Sequence, residues 1–155
     1  MIQFSPQKFL PNLPVTVIKT DGQGAMICTE VYQINPNHRN YNPQKSQWIV
    51  KNHEEVMVFG WSMEYECLWE GYYWGVLYDG INCSVLGTAV SGFNTKIARF
   101  ECSRQPRIWH GYPVDYVNDP QHDCPGRAIL LKWEAMGIIT KSKIAKLIGG
   151  QGWRD

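Results

Sequence analysis

The stretch Tyr72-Tyr73-Trp74-Gly75-Val76-Leu77-Tyr78-Asp79-Gly80-Ile81-Asn82-Cys83-Ser84-Val85-Leu86 decides the fold class. Two runs rich in aromatic and β-branched residues flank Asp79-Gly80, and an Asp-Gly pair supplies the positive φ that a tight hairpin turn needs. Upstream, Val15-Thr16-Val17-Ile18 leads into Asp21-Gly22-Gln23-Gly24 and a second β-rich run over 25–34, which reads as another hairpin. Gln47-Trp48-Ile49-Val50 and Glu55-Val56-Met57-Val58-Phe59 have strand composition, and so does the segment from Lys96 to Cys102. Strands are therefore expected near 14–20, 25–34, 46–51, 55–60, 72–79, 82–88 and 95–102. Short strands in succession, joined by turns, imply an antiparallel sheet with the usual twist.

The pattern changes period after Cys124. Pro125 suits a first helical turn, and Ala128, Leu131 and Ala135 recur at helical spacing beside Ile129, Trp133 and Met136, up to the stop at Gly137. Thr140 is a suitable N-cap for a second helix ending at Gly149-Gly150. Helices are expected near 126–137 and 141–149, with Leu131 and Trp133 docking the first on the sheet. The expected fold is thus α+β: a twisted antiparallel sheet covered by two C-terminal helices. A length of 155 residues suits one domain spanning 1–155.

Composition excludes several classes. No apolar run reaches the roughly 18–20 residues that cross a bilayer, and the start Met1-Ile2-Gln3-Phe4-Ser5-Pro6 lacks a basic region followed by an apolar one. A cytoplasmic location without membrane contact is the expectation. Cys28, Cys67, Cys83, Cys102 and Cys124 are odd in number and widely spaced, which argues against a disulfide framework and a paired-cysteine zinc module. Cys102, His110, His122 and Cys124 have ligand atoms, but only His122-Asp123-Cys124 is a close pair, so neither metal nor cofactor is expected. No glycine-rich phosphate loop, nucleophile elbow or HExxH pattern is present. The net charge is +1, yet residues 1–94 hold five Lys/Arg against eight Asp/Glu and residues 95–155 hold ten against six. That asymmetry either makes a basic face or pairs the two halves internally.

Two segments concentrate chemistry. The run from Arg104 to Tyr116, RQPRIWHGYPVDY, gathers Arg104, Arg107, His110, Tyr112, Asp115 and Tyr116. An imidazole that titrates near neutrality, a guanidinium and a phenol suffice in principle to bind a phosphate and move a proton. The alternative is that the aromatic residues pack, the arginines are solvated, and His110 makes a structural hydrogen bond. The second segment carries Trp61, Tyr65, Trp69, Tyr72 and Trp74 beside Glu64, Glu66 and Glu70, with no Lys or Arg between residues 52 and 95. Without interleaved cations, stacking on nucleic acid is disfavoured, and exposed Trp and Tyr would anchor a protein partner instead. Lys141, Lys143 and Lys146 are the alternative contacts to nucleic-acid phosphate or, equally, a solvated helix face. The nine residues 35–43 hold four Asn and two Pro and form a long loop, of a kind that is often functional. The sequence favours a non-enzymatic binding module for a macromolecule, most readily a protein. The alternative is a small metal-independent phosphodiesterase or ribonuclease-like enzyme using His110 with Arg107 and Tyr112.

Overall fold

The computed structural model describes residues 1–5 and 8–153. In chain order the elements are β1 (Ile2–Ser5), β2 (Val15–Thr20), β3 (Met26–Tyr32), β4 (Gln47–Trp48), α1 (Asn52–Glu64), β5 (Leu68–Trp69), β6 (Tyr72–Gly75), β7 (Gly87–Thr88), β8 (Asn94–Thr95), β9 (Ala98–Arg104), β10 (Arg107–Pro113), α2 (Pro120–Asp123), α3 (Arg127–Ala135) and α4 (Lys141–Ile148). A 3-10 turn over Pro36–His38 lies between β3 and β4. The architecture is mixed α+β, with a seven-stranded sheet in the order β1-β2-β3-β10-β9-β6-β5 and a small sheet β4-β7-β8. Neighbours in the large sheet pair antiparallel except β3 and β10, which run parallel with Tyr32 opposite Trp109.

The expected strand at 55–60 is wrong: those residues lie inside helix α1. The Glu54 carboxylate reaches back to accept the Lys51 N–H at 3.0 Å, half of a capping box at the helix start. The β-branched run misleads because Glu55, Val56, Val58, Phe59, Gly60, Ser62 and Met63 are all buried, so no amphipathic stripe marks the helical period. Helix α1 closes onto β6 at Gly75, where an added Cβ would lie 2.7 Å from Val58 Cγ1. Residues 104–116, which fall in none of the expected strands, supply the central strand β10.

The Asp79 turn forms as expected. Asp79 Oδ1 accepts the N–H groups of Ile81 and Asn82, and Tyr78 bridges Cys83. The hairpin then splits, since β6 joins the large sheet and β7 the small one. Val76 and Leu86, on either side of the turn, are drawn into different cores.

One core lies between α1 and the sheet, with Val17, Tyr32, Val58, Phe59, Phe100 and Trp109. The second gathers Trp74, Val76, Ile97 and Tyr116 with Ile129, Leu130, Trp133, Ile144 and Leu147 of the C-terminal helices. The central face bearing Phe100 and Trp109 is thus covered by α1, while α3 and α4 close the second core. Trp133 is fully buried and donates its indole N–H to Cys67 Sγ at 3.5 Å. Leu131 is 46% exposed and docks nothing; Leu130 takes its place.

Candidate functional site

Strand alternation builds the site. β9 and β10 pair with Arg99 opposite Tyr112 and Glu101 opposite His110, while β6 sets Trp74 opposite Arg99. Side chains two residues apart share a face of a strand. Tyr72, Trp74, Arg99, Glu101, His110 and Tyr112 therefore stand on the sheet face opposite Phe100 and Trp109. Residues between β3 and β4 form one wall of a cavity of about 560 Å³ with His38, Lys45 and Ser46, and Asp115 and Asp123 form another.

Arg99 organises the floor. Its guanidinium lies 4.8 Å from the Tyr72 ring centroid, 5.2 Å from that of Tyr112 and 5.8 Å from that of Trp74. Such cation–π contacts gain strength when desolvated. Arg99 Nε donates to the Tyr112 hydroxyl at 2.8 Å and Nη1 to the His122 carbonyl at 2.7 Å. The carboxylates of Glu101 and Asp123 each lie 3.6 Å from the guanidinium. The Tyr112 hydroxyl in turn donates to Glu101. Burial and the bond to Glu101 push the Tyr112 phenol well above its usual range, against the opposing pull of Arg99. Burial also raises the Asp123 carboxyl, although the Asp115 N–H and Arg99 favour its charge.

His38 is the most informative side chain. Its ring stacks on Tyr112 with centroids 5.4 Å apart, and Nδ1 lies 2.8 Å from the Ser46 carbonyl oxygen. A carbonyl can only accept, so Nδ1 carries the hydrogen and Nε2 keeps its lone pair in the neutral ring. Burial, aided by Lys45 and His110, holds the pKa below 6.5 despite the Ser46 bond and Glu101. At neutral pH the imidazole is a base with a fixed tautomer.

The position of His38 follows from the residue after it. Arg39 reaches into the core, where Nε and Nη2 lie 2.9 and 2.8 Å from Glu55 Oε1 and Nη1 donates to the Val50 carbonyl. The other Glu55 oxygen accepts the Tyr32 hydroxyl at 2.6 Å. Burial pushes the Glu55 carboxyl up to about 7 even though Arg39 and Tyr32 favour its charge. Helix α1 thereby ties down the loop that carries His38.

The residues singled out in the sequence are divided among several places. His110 and Tyr112 share one sheet face, of which Tyr112 lines the cleft, and Asp115 stands on its rim, accepting from Ser91 Oγ and Asn118 Nδ2. Arg107 points to the opposite face and makes a bidentate pair with Glu30 at 2.9 and 3.1 Å, over the Trp109 ring. Arg107, His110 and Tyr112 thus do not converge, and Arg99 takes the cationic position at the site. Arg104 is exposed at the end of β9. Tyr116 is fully buried and accepts the Lys96 N–H. Among the described residues His110 Nδ1 is buried without a hydrogen-bond partner, which favours placing the ring proton on Nε2.

The aromatic set is also divided. Trp61 is partly buried against Trp133 and Tyr65, away from the cleft. Trp69, Tyr72 and Trp74 line a second cavity of about 570 Å³ together with Arg99, whose hydrogen-bond partner Tyr112 lines the first. Lys141, Lys143 and Lys146 lie on α4 and line neither cavity. Among the described residues no three His, Cys, Asp or Glu side chains come together to hold a metal ion, and no helix is long and apolar enough to cross a membrane. His38, Arg99, Glu101 and Asp123 were not singled out by the sequence, although the long Asn-rich loop pointed at the segment that carries His38.

No family model matches this chain, no curated protein is similar to it in sequence, and no solved structure matches its fold.

Proposed function

We propose that the cleft is the active site of a metal-independent phosphodiester-cleaving enzyme acting on RNA. The observation that carries this reading is His38, a neutral imidazole with a fixed tautomer at a cleft also lined by Tyr112 and Lys45, with Arg99 bonded to Tyr112. In the reaction His38 Nε2 takes the proton of a ribose 2′-hydroxyl, the O2′–P bond forms and the P–O5′ bond breaks. The leaving oxygen takes a proton from solvent, which the open cleft admits. His110 Nε2–H and Lys45 offer hydrogen-bond donors to the non-bridging oxygens, and Arg99 supplies positive potential while fixing Tyr112. His110 and Tyr112 keep a part from the sequence-based reading, and Arg99 replaces Arg107.

The test is cleavage of single-stranded RNA in the presence of a chelator. The expected products are a 2′,3′-cyclic phosphate and a 5′-hydroxyl, with all-deoxy substrate intact because it lacks the nucleophile. His38→Ala should lower the rate by about 10²–10⁴-fold at unchanged stability. Intact RNA with wild type, or equal cleavage by His38→Ala, overturns the reading.

A specific observation favours a second reading, a binding module for a protein. Leu68 and Trp69 form an exposed edge strand beside exposed Tyr65 and Tyr72, and the flanking Glu66 and Glu70 are acidic. Free edges and half-exposed aromatic side chains suit a protein partner. Under this reading a photo-crosslinker at position 68 gives one discrete adduct in cells, Trp69→Ala removes it, and RNA is left intact.

A further inference from the structure

We infer that the groove lined by Trp69, Tyr72 and Trp74, on the far side of Arg99 from His38, is a subsite for a nucleobase. The choice of a nucleobase rests on the reading of the adjoining cleft as an RNA site. A planar ligand with an acceptor atom is called for separately, by the side chains of the groove itself.

Trp74 is 3% exposed, yet its indole Nε1 is buried with no hydrogen-bond partner among the described residues. A buried indole N–H ordinarily finds an acceptor, so this donor at a groove wall marks a place for a ligand atom. Trp69 and Tyr72 keep 39% and 36% of their surface exposed at the same groove. Neither ring is loose. Arg99 stands over Tyr72, and Gly126 lies so close to Trp69 that an added Cβ would meet indole atoms at 2.3–2.7 Å. Two held aromatic rings with open surface form a stacking platform that accepts any π-face. A backbone carbonyl would satisfy the indole but offers no ring to stack, whereas a nucleobase supplies both ring and acceptor. The geometry also fits the chemistry next door. Arg99 separates the groove from His38, so a base seated on Tyr72 brings its own ribose and phosphate across the guanidinium towards the imidazole.

The test uses nucleosides, which have no phosphodiester to cleave. ¹⁵N-labelled protein is titrated with each of the four ribonucleosides, with ribose as the ringless control, and the indole N–H signals are assigned through Trp→Phe variants. At least one nucleoside should move the Trp74 Nε1–H signal downfield, as a new hydrogen bond does, while ribose should not. Tyr72→Ala should weaken that binding by about 10-fold or more, the scale of one stacked base. Trp74→Phe keeps an aromatic ring in the core and removes the donor, and should weaken it by about 3- to 10-fold. A Trp74 signal that no nucleoside moves, or undiminished binding by Trp74→Phe, overturns the assignment. RNA left intact by a protein that binds nucleosides this way would sink the catalytic reading and leave the groove standing. Cleaved RNA with no nucleoside response would do the reverse.

Discussion

Replacing Glu55 by Ala should be among the most damaging single changes in this protein. The carboxylate is fully buried and serves two donors, Arg39 Nε, with Nη2 at ion-pair distance, and the Tyr32 hydroxyl. Its removal leaves a guanidinium whose side chain is only 15% exposed with the Val50 carbonyl as its remaining hydrogen-bond acceptor among the described residues, and a Tyr32 hydroxyl stripped of its acceptor. Breaking one side of a buried ion pair costs about 3–5 kcal/mol. The hydroxyl loss is not added, because both interactions pass through one carboxylate. For a domain of this size the change corresponds to a fall of roughly 6–20 °C in Tm. Urea unfolding at about pH 8, where the Glu55 carboxyl is ionised, measures it directly. Arg39→Met with Glu55→Met removes both charges, and the double variant should lose less than the sum of the two single changes. It should also lose RNA cleavage, since nothing then ties the residue after His38 to α1. A loss below about 1 kcal/mol for Glu55→Ala, or strict additivity in the cycle, would refute the view that this pair holds the loop.

The same carboxyl makes a prediction with pH. Its folded pKa is raised from 4.5 to about 7, so its contribution to stability is fully present below about pH 4.5 and lost as pH rises through about 7. The penalty of Glu55→Gln should therefore shrink between about pH 5 and pH 8, by up to about 3 kcal/mol, and a penalty that grows over this range in urea melts would contradict the argument. His38, held below 6.5, should place the acid limb of kcat/KM for RNA cleavage below pH 6.5, and a limb above that value would point to another base. Trp133→Ala should destabilise by about 3–5 kcal/mol in denaturant titration, because the indole is fully buried and bonded to Cys67; a change within error would show that the second core does not depend on it. Gly126→Ala should displace the Trp69 indole and change its fluorescence with little loss of Tm, and an unaltered spectrum would mean that the contact is slack.

The legible parts of this fold were those with local turn or cap chemistry. The Asp21 and Asp79 turns and the Thr140 cap have short-range signatures, and each forms with its side chain accepting backbone N–H. Helix α1 was not legible from periodicity because it is buried almost all round, and the Glu54 bond to Lys51 was the one local sign of its start. The strand β10 was hidden by its own chemistry: Arg107, His110 and Tyr112 look like one cluster in a loop, whereas a strand sends Arg107 to one face and the other two to the opposite face. His38 and Arg99 are far apart in the chain, and only the long-range register of the sheet and the Arg39–Glu55 tie bring them to one cleft.

The single parallel pair in the large sheet has a kinetic consequence. The strands β1, β2 and β3 form a meander of near neighbours, as do β9 and β10, and both can assemble from local contacts. The seam between the two groups, with Tyr32 beside Trp109, closes a loop of more than seventy residues and gains its contacts only after that chain entropy is lost. His38 follows the strand on one side of the seam, and His110 and Tyr112 sit on the other. The cleft therefore comes into being when the slowest join in the sheet is made, so recovery of activity during refolding should lag behind the return of secondary structure and keep time with that one junction.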